Sequence, residues 1–466
     1  MNTRVLVRAI LAAANLASFN AAAADLKEVY TRALTSDPLI REAEANRLAT
    51  RESKPQAIAA LLPQISANAA ELKNESTGSQ TVIDINEDNG EVTIGSAQRE
   101  TEGTRQTWNV ELRQSIFRWQ NWAELRRSDV EGAQAEAEYV VAQQDLILRT
   151  AEAYFNVLAA RDTLEAATAA HDAIARQLEQ SEKRFEVGLI AVTDVQDAKA
   201  AYDSATAALI QAKRNLATNG EILRELTGDA WDTLEKPGND MPLSGPNPEN
   251  AEDWVKLAMD QNARLTASRL AADVTRQVVN IERGGYFPEV DFIVTKGDFD
   301  DDGNFTNQGG VTFPNDSDSE DTTYGVQVTL PIFTGGGTTS RVRQAQYRHT
   351  AARERLERTV RETERSTRDA YLGVNSEVAR VQSLKQAVDS AQTALQATEA
   401  GYEVGTRTSI DVLQARQRLF QSQTDYARSR YDYLLNVLRL QQAAGTLDGK
   451  GLDDINALLA ESVSVR

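Results

Sequence analysis

The sequence of 466 residues has no cysteine, only two histidines, and few aromatic residues, which make up 6% of the chain. Without cysteine it can form neither a disulfide framework nor a thiolate metal site. The histidines, His171 and His349, lie in different predicted helices without metal-ligand spacing, so we expect them at exposed helix positions. No Ser-His-Asp arrangement is recognisable. The sequence therefore predicts no metal, no cofactor and no catalytic centre.

Basic residues and long apolar runs are also scarce. Lys and Arg number 50 against 69 Asp and Glu, which gives a net charge of −19. An acidic chain is poorly suited to nucleic acid, whose binding depends on neutralising phosphates with Lys and Arg. Beyond the N-terminal region no run of 18 apolar residues occurs, so a membrane could be entered only by β-strands.

The N-terminal residues have the order of a secretory signal peptide. Arg4 and Arg8 precede a mainly apolar run, Ala9–Phe19, and the alanines Ala22–Ala24 precede Asp25. Small residues in an A-x-A arrangement after an apolar run mark a cleavage site. We predict that residues 1–24 are removed, which takes away two arginines and no acid and makes the chain still more acidic.

The rest of the chain repeats itself. At an offset of 217 residues, Phe185–Gly188 falls on Tyr402–Gly405 with three identities, and at an offset of 225 Asp37 falls on Asn262. Such fixed offsets indicate an internal duplication. The predicted divisions are a signal peptide (1–24), a first repeat (25–228), a linker (229–250), a second repeat (251–445) and a C-terminal segment (446–466).

Each repeat has the same predicted order: a helix, two strands around an acidic loop, a very long helix, a turn and a return helix. The helices are predicted at about Leu26–Ala60, Trp119–Glu186 and Thr193–Leu226, and at Ala251–Arg283, Ser340–Glu403 and Ser409–Ala444. At 1.5 Å per residue each long helix would reach roughly 100 Å, more than a compact domain needs. Gly188 and Gly405 mark the turns, because glycine is favoured after a helix C-terminus.

Four short segments alternate apolar and polar residues, as strands do. They contain Ile65–Ala69, Trp108–Leu112, Val290–Val294 and Tyr324–Leu330. A length of about 9 to 12 residues suits a tilted transmembrane strand, but a soluble hairpin on a core shows the same alternation. Four strands cannot close a barrel, so several chains would have to share one, and local sequence does not choose between two, three and four chains.

The turn segments Phe185–Val195 and Gly401–Leu413 closely resemble the two helical-hairpin tips of the TolC family of outer-membrane efflux and secretion channels. The resemblance continues through Leu61–Gln64, Gln114–Phe117, Ala153–Val157, Leu330–Phe333 and Arg343–Tyr347, in order along the chain. It implies a mainly α fold with β in a homotrimer. Four strands per chain, twelve in all, would form an outer-membrane β-barrel that continues into a long α-helical periplasmic barrel.

The resemblance also implies a function. The chain would be a passive exit duct for multidrug efflux, type I protein secretion or both, in the outer membrane with its tunnel in the periplasm. Its partners would be outer-membrane lipid, a periplasmic adaptor (membrane fusion protein) and an inner-membrane RND or ABC pump, and it would not be an enzyme. The alternative is a periplasmic coiled-coil adaptor, although the duplicated strand pairs count against it. The cargo and the cognate pump stay open.

By the same resemblance, polar links between neighbouring hairpins would hold the tunnel entrance closed. Arg407 would bond Thr193 and Asp194, and Tyr402 would bond one of the same two residues. A guanidinium fork matches a carboxylate, and aqueous surroundings keep each link weak enough to break. Without the resemblance, these residues would be interpreted as solvated turn residues.

An entrance constriction is implied as well, and here the sequence departs from the family. The family pattern places two aspartates three residues apart on each inner tip helix, whereas this chain has Asp411 and then Gln414. In the other repeat Asp194 and Asp197 keep the spacing, which puts both on one helix face. We expect multivalent cations to bind through Asp411, less tightly than to six carboxylates.

Two further patterns have ordinary explanations. Thr334–Gly337 follows a strand and precedes a helix, but no Lys-Ser or Lys-Thr follows, so a phosphate loop is not expected. Glycine permits the turn from strand to helix. The predicted junction of barrel and tunnel comprises Pro63, Pro288, Pro331, Gly335 and Gly336.

The carboxylates Asp298, Asp300 and Asp302 before Gly303 resemble the start of a calcium loop. Gly309 occupies the twelfth position, where the bidentate Glu of such a loop would stand. We therefore expect a solvated surface loop without calcium. The other acidic stretches, Asp316–Asp321 and Asp84–Glu91, are expected beside it on the cell exterior.

Overall fold

The computed structural model describes residues 23–85, 90–238, 240–306 and 311–465. The predicted signal peptide lies outside the described residues except for Ala23 and Ala24, and its cleavage site stays a prediction. The chain forms two compact units. One comprises the described residues of Met1–Arg47, Ala135–Arg269 and Arg355–Arg466, and the other comprises those of Leu48–Gln134 and Leu270–Glu354.

The helices follow the repeated order that the sequence predicts. Those of the first repeat are α1 (Leu26–Ser36), α2 (Pro38–Arg51), α3 (Ser53–Ala59), α4 (Trp119–Glu186) and α5 (Val192–Thr227). Those that follow are α6 (Ala251–Gln261), α7 (Ala263–Arg283), α8 (Gly337–Glu403), α9 (Ser409–Ala444) and α10 (Gly449–Asn456). The two long helices, α4 and α8, have 68 and 67 residues. No described helix combines the length and the apolar character needed to cross a bilayer.

The first helix of each repeat is not continuous, contrary to the prediction. Leu26–Ala60 is interrupted at Asp37, and Ala251–Arg283 is interrupted at Asn262, with φ −64°, ψ 121° and φ −64°, ψ 117° respectively. Pro38 accounts for the first break, because proline lacks an N–H and keeps the preceding residue out of the helical region. The second break has the same geometry without a proline. The duplication therefore extends to the backbone conformation of the break.

The strands are β1 (Gln64–Ile85), β2 (Val92–Phe117), β3 (Thr233–Pro237), β4 (Glu289–Thr306), β5 (Thr312–Pro314), β6 (Ser317–Thr329) and β7 (Leu459–Ser464). In the larger sheet β1, β2, β4 and β6 follow one another, all antiparallel, and β5 pairs with the end of β4. These four strands have 22, 26, 18 and 13 residues, longer than predicted. Backbone pairing continues beyond the apolar rows, because it does not require apolar side chains.

The register places the predicted apolar residues on one face of this sheet. One cross-strand row consists of Ile65, Leu112, Val294 and Tyr324. A polar row one residue away along each strand consists of Ser66, Glu111, Thr295 and Thr323. Since successive side chains point to opposite faces, the two rows face opposite ways. The sheet thus has an apolar and a polar face where the alternation was predicted.

Two of the acidic segments, Asp298–Gly303 and most of Asp316–Asp321, form strand rather than the predicted loop. Asp298–Gly303 lies within β4 and pairs with β2 on one side, while Asp298–Asp301 also pairs with β6 on the other. Asp301 forms an ion pair with Arg105 at 2.7 Å. In the described part of the chain no cluster of three or more His, Cys, Asp and Glu side chains could hold a metal. Gly309 and part of Asp84–Glu91 lie outside the described residues.

The predicted linker contains one short strand. Its strand β3 pairs antiparallel with β7 of the C-terminal segment, and Thr233 lies opposite Ser464. Ala24 joins the same sheet, because its N–H donates to the Thr233 oxygen and its oxygen accepts from the Glu235 N–H, both at 3.1 Å. Pairing partners so distant in sequence leave no local pattern. The sequence therefore could not reveal this sheet.

The main hydrophobic core lies in the first unit and draws on both repeats. Its fully buried side chains include Leu26, Tyr154, Phe155, Leu158, Leu223, Leu234, Leu434, Leu438 and Leu452. The Tyr154 hydroxyl donates to the Glu235 oxygen at 2.6 Å, and Tyr371, its equivalent in the second repeat, donates to the Glu249 oxygen at 2.6 Å. Each long helix is therefore fastened to the residues between the repeats by a tyrosine.

Candidate functional site

The two helical hairpins reverse at Gly188, between α4 and α5, and at Gly405, between α8 and α9. Both glycines have positive φ, 74° and 79°. In the first turn the Leu189 N–H donates to the Arg184 oxygen at 2.9 Å, and the equivalent bond closes the second turn at 2.8 Å. Only glycine adopts this left-handed conformation without steric cost. The predicted turn glycines thus occupy equivalent positions in two similar hairpin tips.

The aspartates just beyond the turns cap the return helices. The Asp194 carboxylate accepts from the Ala191 N–H at 3.3 Å, and the Asp411 carboxylate accepts from the Thr408 N–H and hydroxyl, both at 2.9 Å. The backbone and hydroxyl bonds from Thr408, with a smaller contribution from the charge of Arg407, lower the pKa of Asp411. Asp411 is therefore an ionised, oriented carboxylate at neutral pH.

Tyr402 contacts the other hairpin of its own chain through its ring. The guanidinium carbon of Arg184 lies 5.0 Å from the centre of the Tyr402 ring, within the range of a cation–π contact. The Tyr402 hydroxyl is buried and has no hydrogen-bond partner among the described residues. The predicted links of Tyr402 and Arg407 to Thr193 and Asp194 stay predictions.

Arg416 is a contact residue near the tips that the sequence analysis missed. Its Nε and Nη2 donate to Oε1 of Glu399 at 3.2 and 2.7 Å, and its Nη1 donates to the Ala173 oxygen at 2.9 Å. Arg416 thereby joins α9 to α8 and to α4. A main-chain acceptor has no sequence signature, because every residue carries one.

Asp197 and Gln414 line the same groove, although they belong to different repeats. The groove, of about 710 Å³, lies between α4, α5 and α9. Leu413 and Phe420 contribute apolar surface to it, and Ala166 contributes a small side chain. The structure therefore brings together the second aspartate of the first tip and the residue that replaces an aspartate in the second.

The predicted junction residues all lie where helix and strand meet. Pro63 lies between α3 and β1, Pro288 directly precedes β4, and Pro331 follows β6. Gly335 and Gly336 precede α8 with φ of 60° and 82°, which favours glycine at both positions. The role of these five residues at a junction of barrel and tunnel stays a prediction.

A known protein family matches this chain over most of both repeats. Residues 29–229 and 254–446 match the family model described as outer membrane efflux protein, one segment in each repeat. The chain belongs to this family. As a member it is an outer-membrane exit duct, with its tunnel in the periplasm, and the predicted family and location are confirmed. The alternative of a periplasmic adaptor is not supported.

Individual relatives match this chain over nearly its whole length. Outer membrane protein TolC of Vibrio cholerae serotype O1 is 35% identical over 437 residues, which cover 93% of this chain and 94% of that protein. TolC of Escherichia coli K12 is 36% identical over 445 residues, which cover 95% and 86%. The solved CmeC outer membrane channel of Campylobacter jejuni has a TM-score of 0.72 at 18% identity, covering 93% of this chain and 90% of that one. These comparisons confirm the predicted fold class of mainly α with β.

Proposed function

We propose that three copies of this chain form one passive channel, which a periplasmic adaptor and an inner-membrane RND or ABC pump open at the helical tips. Within one chain β1 pairs with β2 alone and β6 with β4 alone, in the described residues. Unpaired strand edges are costly against lipid. A ring in which β1 of each copy pairs with β6 of the next removes both edges. The cargo would be drugs, proteins or both, and the chain would carry out no enzymatic reaction.

The entrance would be closed by the links that the resemblance implies, from Arg407 and Tyr402 to Thr193 and Asp194. The observation that carries this proposal is the buried Tyr402 hydroxyl, which has no partner among the described residues. A buried polar group without a hydrogen bond costs roughly 1 to 3 kcal/mol. Thr193 or Asp194, brought within reach of the hydroxyl by a local shift in the closed trimer, would remove that cost. Opening would then require these links to break.

The constriction would be formed by Asp411, with Gln414 and Asp197 nearby. The carboxylate of Asp411 is held by its cap, so it would present a fixed negative charge to the passing solution. Cations of high charge would therefore bind at the entrance and block it. Export energy would come from the pump, because no nucleotide-binding motif is present in the sequence.

The assembly can be tested by cysteine cross-linking, because the chain has no cysteine of its own. Ala67→Cys in β1 would be combined with single cysteines along β6, such as Thr322→Cys, and the membranes oxidised. A ring of three predicts covalent products of two and three chains and none larger. Ala67→Cys alone is the matched control. Products of four chains, or a protein that salt releases from the membrane, would contradict the proposal.

The channel itself can be tested in a planar bilayer. Detergent-purified protein is expected to run as a large oligomer that dissociates on heating, and to form pores of defined conductance. Heat-dissociated protein serves as the control and should form none. An intact oligomer that inserts without conducting would contradict a duct.

A further inference from the structure

Arg416 of α9 forms hydrogen bonds with α8 and with α4 near the tips. We propose that Arg416 staples the α8–α9 hairpin to α4 of the same protomer, and that this staple sets how readily the entrance opens. The inference rests on the proposed opening at the tips. It adds a tie within one chain to the links between Arg407, Tyr402, Thr193 and Asp194.

The two sets of bonds made by Arg416 have different roles. The bonds to Glu399 lie inside one hairpin, between α9 and α8, whereas the bond to the Ala173 oxygen crosses to the other hairpin. Glu399 takes Nε and Nη2, so the remaining nitrogen, Nη1, points at Ala173. Glu399 is therefore a positioning residue. Lysine could not replace arginine, because one ammonium lacks the planar fork that serves both acceptors.

The surroundings make these bonds stronger than those of an ordinary surface pair. The Arg416 side chain is only 20% exposed and that of Glu399 38% exposed. Partial burial reduces screening by water and salt. The acceptor in α4 is a main-chain oxygen of a helix, so it cannot turn away as a side chain could. Separation of the hairpins must therefore break this bond.

The staple lies deeper than the contact at the turns. Arg416 follows Gly405 by 11 residues and Ala173 precedes Gly188 by 15, so both lie roughly 15 to 25 Å from the turns. The contact of Arg184 with Tyr402 joins the same two hairpins at their ends. An opening motion that begins at the tips can thus release Tyr402 first. It becomes complete only when the bond from Arg416 to Ala173 is lost.

The experiment measures the open fraction of single channels in a planar bilayer. Arg416→Met keeps the apolar stem and removes the donors, and we expect it to raise the open fraction about ten-fold, as the loss of one charged hydrogen bond implies. Arg416→Lys should behave like Arg416→Met, and Glu399→Gln should give a smaller rise. Arg418→Met, an exposed arginine on the same helix, is the matched control and should equal the parent. All variants must migrate as heat-sensitive trimers.

A second measurement tests the staple by restoring it. Ala173→Cys with Arg416→Cys, joined by a cleavable thiol cross-linker, should lower the open fraction below that of the uncross-linked variant, and cleavage should reverse the effect. If Arg416→Met equals Arg418→Met, or if Arg416→Lys equals the parent, the staple is refuted. The double variant Arg407→Ser with Tyr402→Phe separates the two hypotheses. If it opens the channel while Arg416→Met does not, only the staple fails; if the parent forms no channel, the proposed function fails.

Discussion

The guanidinium of Arg184 lies over the ring of Tyr402, 5.0 Å from its centre, so the end of α4 contacts the end of α8 within one chain. Tyr402 is the repeat equivalent of Phe185, the residue next to Arg184. The ring therefore serves the contact between the two hairpins of a protomer. The hydroxyl takes no part in this contact, because it is buried without a hydrogen-bond partner among the described residues. The two functions of this side chain can be separated by substitution.

Arg407→Ser combined with Tyr402→Phe should raise single-channel conductance without loss of the trimer. The change removes the guanidinium fork and the hydroxyl but leaves the ring of Tyr402 under Arg184. Each lost link is worth about 1 kcal/mol, so the pair should shift the closed-to-open equilibrium roughly ten-fold or more. Tyr347→Phe, the same change at a tyrosine that is 74% exposed, is the control. Unchanged conductance in an inserted trimer would remove the latch assignment.

Multivalent cations should block the channel through Asp411. A trivalent cation is titrated against bilayer conductance for the parent, Asp411→Asn, Gln414→Asp and Asp197→Asn. We expect Asp411→Asn to abolish block, Gln414→Asp to tighten it by adding a second carboxylate, and Asp197→Asn to change it little, because attraction falls with distance and screening. If Asp197→Asn were the most damaging change, the cation site would belong to the first-repeat hairpin.

The same block should hardly depend on pH between about 7 and 5. Bonds from Thr408 lower the pKa of Asp411, so the carboxylate loses its charge only below the ordinary aspartate value of about 3.9. The stability that the Asp411 cap contributes to α9 has the same pH dependence. It is fully present above the ordinary aspartate pKa and is lost as pH falls through the lowered pKa. Block that disappears near pH 6 would point to another titrating group.

Asp162→Asn should reduce the pH dependence of stability in the first unit. The Tyr431 hydroxyl donates to the Asp162 carboxylate at 2.7 Å, and burial raises the pKa of Asp162. A raised pKa means that the aspartate contributes most stability when protonated, below its unfolded value, and loses this contribution as pH rises through the raised value. Asparagine keeps an acceptor and never ionises.

Thermal dissociation of Asp162→Asn is therefore compared with the parent at pH 4.5 and pH 7.5. The dissociation temperature of the variant, relative to that of the parent, should rise as pH rises. Asp203→Asn, the same change at an exposed aspartate of the first repeat, is the matched control. An equal difference at both pH values would mean that Asp162 does not titrate in this range.

The sequence predicts cleavage after Ala24, but the contacts of Ala24 favour cleavage after Ala23, so we expect the mature chain to retain Ala24. This residue is 3% exposed, its N–H donates to the Thr233 oxygen, and its oxygen accepts from the Glu235 N–H, both at 3.1 Å. Its removal would delete both of these main-chain bonds to β3. Cleavage after Ala23 also fits the alanine run, because Ala21 and Ala23 have A-x-A spacing. Intact-mass measurement of the purified protein checks this, and a mature chain that starts at Asp25 would contradict it.

Much of the architecture was predictable because its signals are local. The bounds predicted for α4 and α9, Trp119–Glu186 and Ser409–Ala444, are those of the structure. The positive φ of Gly188 and Gly405 agrees with the predicted turns. Alternating apolar residues located all four long strands of the sheet. The tip motifs identified the family, and the links between the tips rest on that resemblance.

Tertiary structure decided what depends on distant partners. The pairing of Thr233 with Ser464, the extension of β4 through Asp298–Gly303, and the bond from Arg416 to Ala173 all join residues far apart in the chain. Each uses main-chain hydrogen-bonding groups, which are the same for nearly every residue and give no compositional signal. Helix periodicity, alternation and glycine turns arise instead from side chains and backbone within a few residues, so the sequence determined them by itself.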